Sequence, residues 1–338
     1  MTSSVAKDIV LLGAGASAAE GAPIQGNLFK EYFLLKPGDP ERLIRLQGFF
    51  NSFFGINVSN NDPSSIAFPT FEEVLGVLDL ALVRGEGFRN NQDVQEFRRD
   101  MIFLIANILD VKLRGDVQHH KILVDRLKRE NGLLKTAFIS LNYEILIDNV
   151  LTDLYDEIDL DYGIDFANNE WRRPRQDKSV RLCKLHGSLN WLYCPTCVAL
   201  RLTPKEKAIS KMALRPKNCW SCSANVEPII VPPTFFKVMS NIFLAQIWRN
   251  ADMLLHKAER IFFCGYSFPD ADIHIKYLLK RMELYKSRPP RIFVINNHKD
   301  KQDQEKKNEK ERYERFFKKS SRVEYTELSF QEFCEKGI

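Results

Sequence analysis

Short apolar runs recur along the chain, and each stops at a polar residue, a proline or a glycine. Residues 8–12 end at Gly13, 136–141 at Asn142 and 181–185 at His186. Further runs at 228–231, 261–264 and 291–295 meet Pro232, Gly265 and Asn296. A continuous apolar run bounded by turn signals is how a strand reads when both faces of a parallel sheet are covered. Apolar positions at helical spacing fill the gaps and predict helices over 145–155, 242–258 and 273–285. The expected class is α/β, a Rossmann-like parallel sheet, with the run-ending residues at the carboxyl ends of strands, where such sheets bind ligands.

From 28 to about 135 the strand signals stop. This stretch reads as helices, with aromatic clusters at Phe49, Phe50, Phe53 and Phe54 and a capping box at Thr70-Phe71-Glu72-Glu73. A helical insertion over 31–130 is expected, either a lid on the site or a plain subdomain away from it. It would interrupt a dinucleotide-binding domain of residues 1–30 and 131–298. Residues 299–319 are densely charged with both signs, so 299–338 is expected as a charged C-terminal segment carrying a solvated helix or loop.

Composition narrows the class without naming it. The 338 residues carry a net charge of +5, 44% hydrophobic and 28% charged residues, ordinary for a globular protein. The charge suits an anionic ligand but accompanies no nucleic-acid-reading motif. The apolar run at 101–109 is about half of what a bilayer crossing needs. With Asp8 and then glycines following the N-terminus, no signal-peptide core is read there, and a cytoplasmic setting is expected. Four of the seven cysteines fall in two pairs, Cys194/Cys197 and Cys219/Cys222, while Cys183, Cys264 and Cys334 stand alone. Paired C-x-x-C knuckles supply the four thiolates of a closed structural zinc site, here a ribbon over 190–228. Four cysteines leave no open position for water, so the zinc is not expected to be catalytic.

Gly13-Ala14-Gly15-Ala16-Ser17-Ala18 satisfies the G-x-G-x-x-G/A dinucleotide turn, which equally fits an ordinary tight strand-to-helix turn. The acidic residue expected about 20 positions on is not clear, Glu31 being the nearest candidate, so an ordinary dehydrogenase is a poor fit.

With these motifs in this order the chain resembles the sirtuins, in particular the sirtuin-like proteins of bacterial anti-phage defence. Gly13-Ala14-Gly15-Ala16-Ser17 followed by Gly21-Ala22-Pro23 is similar to the family's opening turn. Leu141-Asn142-Tyr143-Glu144 looks like its Gln-Asn-Ile-Asp, His186-Gly187 like its His-Gly, and Gly265-Tyr266-Ser267 like its Gly-Thr-Ser. Asn296 matches an adenine-ribose asparagine, and the four cysteines match the zinc ribbon. The resemblance implies NAD as substrate, Asn142 and His186 as catalytic residues, and cofactor contacts from Gly13, Ala14, Gly15, Ser17, Pro23, Glu144, Gly265, Ser267 and Asn296. Asn142 would position a water or hold a ribose hydroxyl, its bland alternative being a cap for the next helix. His186 would take a proton from that hydroxyl or water.

The departures bear on the reaction. The family's Phe-Arg after Gly-Ile-Pro is replaced by Ile24-Gln25-Gly26-Asn27, Leu141 stands for glutamine, and Glu144 is one methylene longer than the expected aspartate. Deacylases hold an acyl-lysine peptide as an added strand between two loops. Here one counterpart is Pro232-Pro233-Thr234-Phe235-Phe236-Lys237, where two prolines remove ladder donors, and the other is Phe268-Pro269-Asp270-Ala271-Asp272. The leading expectation is therefore an NAD hydrolase giving nicotinamide and ADP-ribose, depleting NAD in anti-phage defence. Such an activity needs restraint, so a homo-oligomer and a second subunit sensing infection, a ring ATPase or nucleic-acid sensor, are expected. The alternatives are an NAD-dependent deacylase and a non-catalytic NAD or ADP-ribose sensor.

Overall fold

The structure is a computed structural model. It describes residues 6–338 except 37–38, 89–92, 114, 116, 169–171, 204, 206–217, 232–240, 271 and 319–321. Strand β1 (Asp8–Leu12) runs into the short helix α1 (Ala14–Ala18). Helices α2 (Leu28–Leu35), α3 (Pro40–Phe54), α4 (Phe71–Arg84), α5 (Val94–Lys112) and α6 (His119–Arg129) follow before β2 (Thr136–Ser140). Then come α7 (Leu146–Thr152), β3 (Asp159–Asp161), β4 (Ser179–Lys184), β5 (Gly187–Cys194), β6 (Ala199–Leu202) and β7 (Glu227–Ile230). The chain ends with α8 (Ile242–Lys257), β8 (Arg260–Cys264), α9 (Ile273–Tyr285), β9 (Arg291–Ile295), α10 (Asp303–Phe316), β10 (Val323–Tyr325) and α11 (Phe330–Lys336).

Seven strands form one sheet in the order β10-β9-β8-β1-β2-β4-β3, and every pairing in it is parallel. β1 sits between β2 and β8, so the chain leaves it in both directions and opens a crevice at its carboxyl end. The turns carrying Gly13, Asn142, Gly265 and Asn296 all face that crevice edge. The Rossmann-like α/β expectation is met, and the 273–285 helix and 291–295 strand have the expected bounds. One run was misplaced: 228–231, read with the parallel strands, forms β7 in a separate three-stranded sheet, β6-β5-β7, antiparallel to β5. A four-residue apolar run tells burial but not direction. The C-terminal segment also does more than carry charge. β10 extends the main sheet beyond β9, and α11 docks on α6, where Arg126 donates to the Cys334 carbonyl at 2.9 Å.

The hydrophobic residues separate into two cores. One surrounds the parallel sheet. The other joins the helical insertion to the small sheet, placing Phe29, Phe50, Phe71 and Met101 with Leu189, Leu192, Cys194 and Ile230. Rings of Phe29 and Phe50 meet edge-on with centroids 4.7 Å apart. The buried Asp100 carboxylate accepts from Arg42 at 2.8 Å and Arg45 at 2.9 Å, tying α3 to α5. Arg98 of α5 binds Asp79 of α4 and donates to the Ile230 carbonyl of β7 at 3.2 Å. The insertion is thus built onto the small sheet rather than hung from a linker.

Two glycines are required by close backbone approach. A Cβ on Gly265 (φ 64°) would lie 2.1 Å from the Ala16 nitrogen, so the β8 turn and the β1 turn can touch only without side chains. Gly187 (φ 84°) would place a Cβ 1.9 Å from the Ile229 carbonyl oxygen, within the β5–β7 pairing. Left-handed strain alone costs about 1–3 kcal/mol, and the clash adds to it. Gly187→Ala is therefore expected to lose at least ~2 kcal/mol in urea unfolding or to fail to fold. Stability equal to the parent would contradict the register of β5 against β7.

Candidate active site

The two turns that follow β1 and β2 are joined by one chain of buried hydrogen bonds. Asn142 Nδ2 donates to the Gly13 carbonyl at 2.9 Å and to Ser17 Oγ at 2.8 Å. Ser17 Oγ in turn donates to Glu144 Oε1 at 2.7 Å, and Glu144 Oε2 accepts from the Leu146 N–H at 2.6 Å. Both amide hydrogens of Asn142 are engaged, so Oδ1 is the polar atom left to meet a ligand. The helix after this turn begins at Leu146, with Ile145 as its N-cap, so Asn142 is not a cap.

Glu144 is nearly fully buried. Burial pushes its carboxyl up, but the Lys184 and His120 charges, the Leu146 N–H and the Ser17 hydroxyl outweigh this and hold it below the usual range. Lys184, itself buried, donates to the Glu144 carbonyl and to Asp148 Oδ2. Asp148 Oδ1 accepts from Tyr162 at 2.6 Å. The carboxylate expected to contact the cofactor is thus bonded to the protein's own groups.

His186 stands at the end of β4. Its Nδ1 lies 3.0 Å from the Leu141 carbonyl, and a carbonyl only accepts, so Nδ1 carries the proton and Nε2 is the basic nitrogen. The Tyr143 ring packs against it, centroids 6.2 Å apart.

Two pockets flank the β1 turn, and Ala14 lines both. The larger, about 450 Å³, is bordered by Gly15, Gly265, Ser267, Asn296 and Lys301. The smaller, about 60 Å³, is bordered by Ser17, Pro23, Leu28, Asn142 and Glu144 and by Phe71, Glu72, Ile105 and Leu109 of the insertion. The insertion therefore touches the site. Within the large pocket the Asn296 amide is already committed, accepting from the Tyr266 N–H at 2.9 Å and donating to the Tyr266 carbonyl at 2.7 Å and to Glu309. The Gly15 N–H, a candidate for a pyrophosphate, binds the Gly265 carbonyl at 2.9 Å. Gly13 supports the site through its carbonyl, while exposed Ser267 stands at the pocket rim.

The sequence reading missed Glu72, Tyr143 and Lys184. Only Glu72 had a signal: two adjacent glutamates open α4, and a capping box uses one. Glu73 takes that role, bonded to the Thr70 N–H and hydroxyl.

At the far end of β5 the four cysteine sulfurs lie within 4.8 Å of one another. Cys194 and Cys222 are 3.5 Å apart, as are Cys197 and Cys219. Tetrahedral zinc at about 2.3 Å from each sulfur needs S···S separations near 3.8 Å, so the set fits structural zinc. The Cys219 N–H, donating to the Ala224 carbonyl at 2.6 Å, closes the second knuckle.

Residues 136–321, more than half of the chain, match the family described as SIR2-like domain. The chain belongs to the SIR2-like family. Solved structures similar to this SIR2-like chain include Sir2Tm bound to a propionylated peptide, 13% identical with a TM-score of 0.48, covering 98% of this chain and 91% of that one. A Sir2 complex with a p53 peptide and NAD⁺ is 13% identical with a TM-score of 0.46, at 98% and 91% coverage. A Sir2 complex with EX-527, 2′-O-acetyl-ADP-ribose and a deacetylated p53 peptide is 15% identical with a TM-score of 0.43, again at 98% and 91%. None of the curated proteins matches the chain. Among the described residues no helix is long and apolar enough to cross a membrane.

The purified SIR2-like protein is expected to hold one zinc per chain by elemental analysis. Strong chelation or Cys219→Ser should lower its melting temperature by several degrees, because the Cys219 side chain is also part of the insertion's core. A metal-free protein of unchanged stability would contradict the assignment.

Proposed function

We propose that this SIR2-like chain is an NAD glycohydrolase, splitting the nicotinamide–ribose bond with water. The observation that carries the reading is the pocket beside Asn142. Its room is about 60 Å³, and Phe71, Glu72, Ile105 and Leu109 of the same chain wall it on the side facing the helical insertion. The adenosine and pyrophosphate half of NAD suits the larger pocket, reached across Ala14.

Loss of nicotinamide leaves positive charge on the ribose, as in glycoside cleavage. Asn142 Oδ1 would accept from a water or a ribose hydroxyl, its orientation fixed by the two bonds to Gly13 and Ser17. His186 Nε2 would accept a proton from a ribose hydroxyl. Pro23 and Glu144 would bound the nicotinamide end, with Gly13, Ala14, Gly15, Gly265, Ser267 and Asn296 toward the adenosine. For Asn296 this requires exchanging one of its present partners.

The loop counterpart at 268–272 also supports water as the nucleophile. Phe268 is buried and stacks on Tyr313 at 4.5 Å, and the Tyr266 hydroxyl binds Asp272 at 2.8 Å, so these two residues are fastened inward. A peptide needs a free edge to pair as a strand. The 232–237 counterpart lies outside the described residues. In this reading residues 1–30 and 131–298 bind NAD, 31–130 cover the site, 190–228 form the zinc ribbon, and 299–338 complete the sheet. NAD depletion in anti-phage defence, restrained by a homo-oligomer or by a sensing subunit such as a ring ATPase or nucleic-acid sensor in the cytoplasm, is the biological role that follows.

The test is nicotinamide release from NAD by the purified protein, with and without an acetyl-lysine peptide. Release without peptide, lowered at least ~10²-fold by Asn142→Ala and by His186→Ala, is the expected result. Release that requires the peptide would replace this reading with a deacylase. NAD bound intact, with Asn142→Ala behaving as the parent, would make the chain a sensor.

A further inference from the structure

Two glutamates stand side by side at the start of α4, and the fold treats them differently. Glu73 closes the capping box with Thr70. Glu72 turns into the small pocket, sharing it with Asn142, Ser17 and Glu144. Its Oε1 is buried without a hydrogen-bond partner. A buried carboxyl oxygen left unmatched costs stability and is rarely kept without a use. Every other acidic oxygen described around the β2 turn is engaged: Glu144 by Ser17 and Leu146, Asp148 by Tyr162 and Lys184.

We propose that Glu72 is a catalytic residue contributed by the insertion, the general base for the water that attacks the ribose. This rests on the glycohydrolase reading. In the step, the bond between the ribose anomeric carbon and the nicotinamide nitrogen breaks, its electron pair neutralising the pyridinium. The water oxygen bonds to that carbon, and the water's proton passes to the Glu72 carboxylate, to be released to solvent afterwards. Asn142 Oδ1 accepts the other hydrogen of the same water. His186, whose Nδ1 is tied to the Leu141 carbonyl and which does not line this pocket, is left to the ribose hydroxyls.

The surroundings suit that task. Burial raises the Glu72 carboxyl to about 7, a hydrogen bond from its own backbone N–H opposes the rise, and the charges of Asp272 and Glu73 add to it. Tyr143 and Glu144 are the other titratable groups that line the pocket. A base with a pKa near the working pH combines availability with driving force. The positive nicotinamide ring of bound NAD would favour the carboxylate and lower its pKa. The acid limb of kcat is therefore expected below that of kcat/KM.

The experiment is a pH–rate profile of NAD cleavage for the parent, Glu72→Gln and Glu72→Asp, with NAD affinity measured calorimetrically on the Asn142→Ala background. The parent's kcat/KM should rise with pH through about 7. Glu72→Gln should lose that limb and at least ~10²-fold in kcat, with Kd within about threefold. Glu72→Asp should keep the limb at an intermediate rate. The glutamine variant should melt no lower than the parent, because a carboxyl with a raised folded pKa opposes folding wherever it ionises. Glu72→Gln with the parent's rate and limb would overturn the proposal. A parent that releases nicotinamide only with acyl-lysine peptide would overturn the hydrolase reading and the base with it, a failure seen before any variant is made.

Discussion

Ser17 Oγ donates to Glu144 Oε1 across the gap between two neighbouring strand ends, and the site depends on that bond. It fixes α1 against the β2 turn, and it orients Ser17 to receive Asn142 Nδ2, which orients Asn142. Glu144 can remain ionised under burial because Lys184 lies beneath it, bridging its carbonyl to Asp148. A buried pair of this kind is weak as a source of stability, since desolvation consumes much of the attraction. Removing one member leaves a buried charge uncompensated, so the arrangement acts as a positioning device. The glycine contact between the β1 and β8 turns completes it from the other side.

The insertion and the zinc ribbon form a second device. They share a core, and β5 runs from Gly187, beside His186, to Cys194, a ligand of the cluster. The Leu189 N–H binds the Tyr143 carbonyl at 2.9 Å, so the ribbon's first strand is pinned to the turn that carries Asn142. Zinc held by Cys194, Cys197, Cys219 and Cys222 would thereby brace the walls of the small pocket through β5. An insertion built onto this sheet supplies walls, and with Glu72 a functional group, which a mobile lid would supply only on closing.

The parallel strands β1, β2, β4, β8 and β9 were legible because burial on both faces writes itself as unbroken apolar runs, as in Ile9–Leu12 and Ile292–Ile295. β5 was hidden because its buried face includes Ser188 and Asn190, which satisfy each other at 2.7 Å. β3 and β10 were hidden by their length of three residues each. Most of the residues expected at the site read as turn residues after strands, and the structure gathers Gly13, Asn142, Gly265 and Asn296 at one sheet edge. Their present partners were not: the commitment of Glu144 depends on Lys184, forty positions away, and that of Asn296 on Glu309. Such contacts are set by the fold and leave no local pattern.

The most direct measurement is a double-mutant cycle between Ser17→Ala and Glu144→Gln, read in urea unfolding and in NAD cleavage. If the bond between them organises the site, the two substitutions will couple by about 1 kcal/mol or more. The double variant will then be no less active than the worse single one. Additive losses in both readouts would mean that the two residues act separately, and that the site is held together by something else.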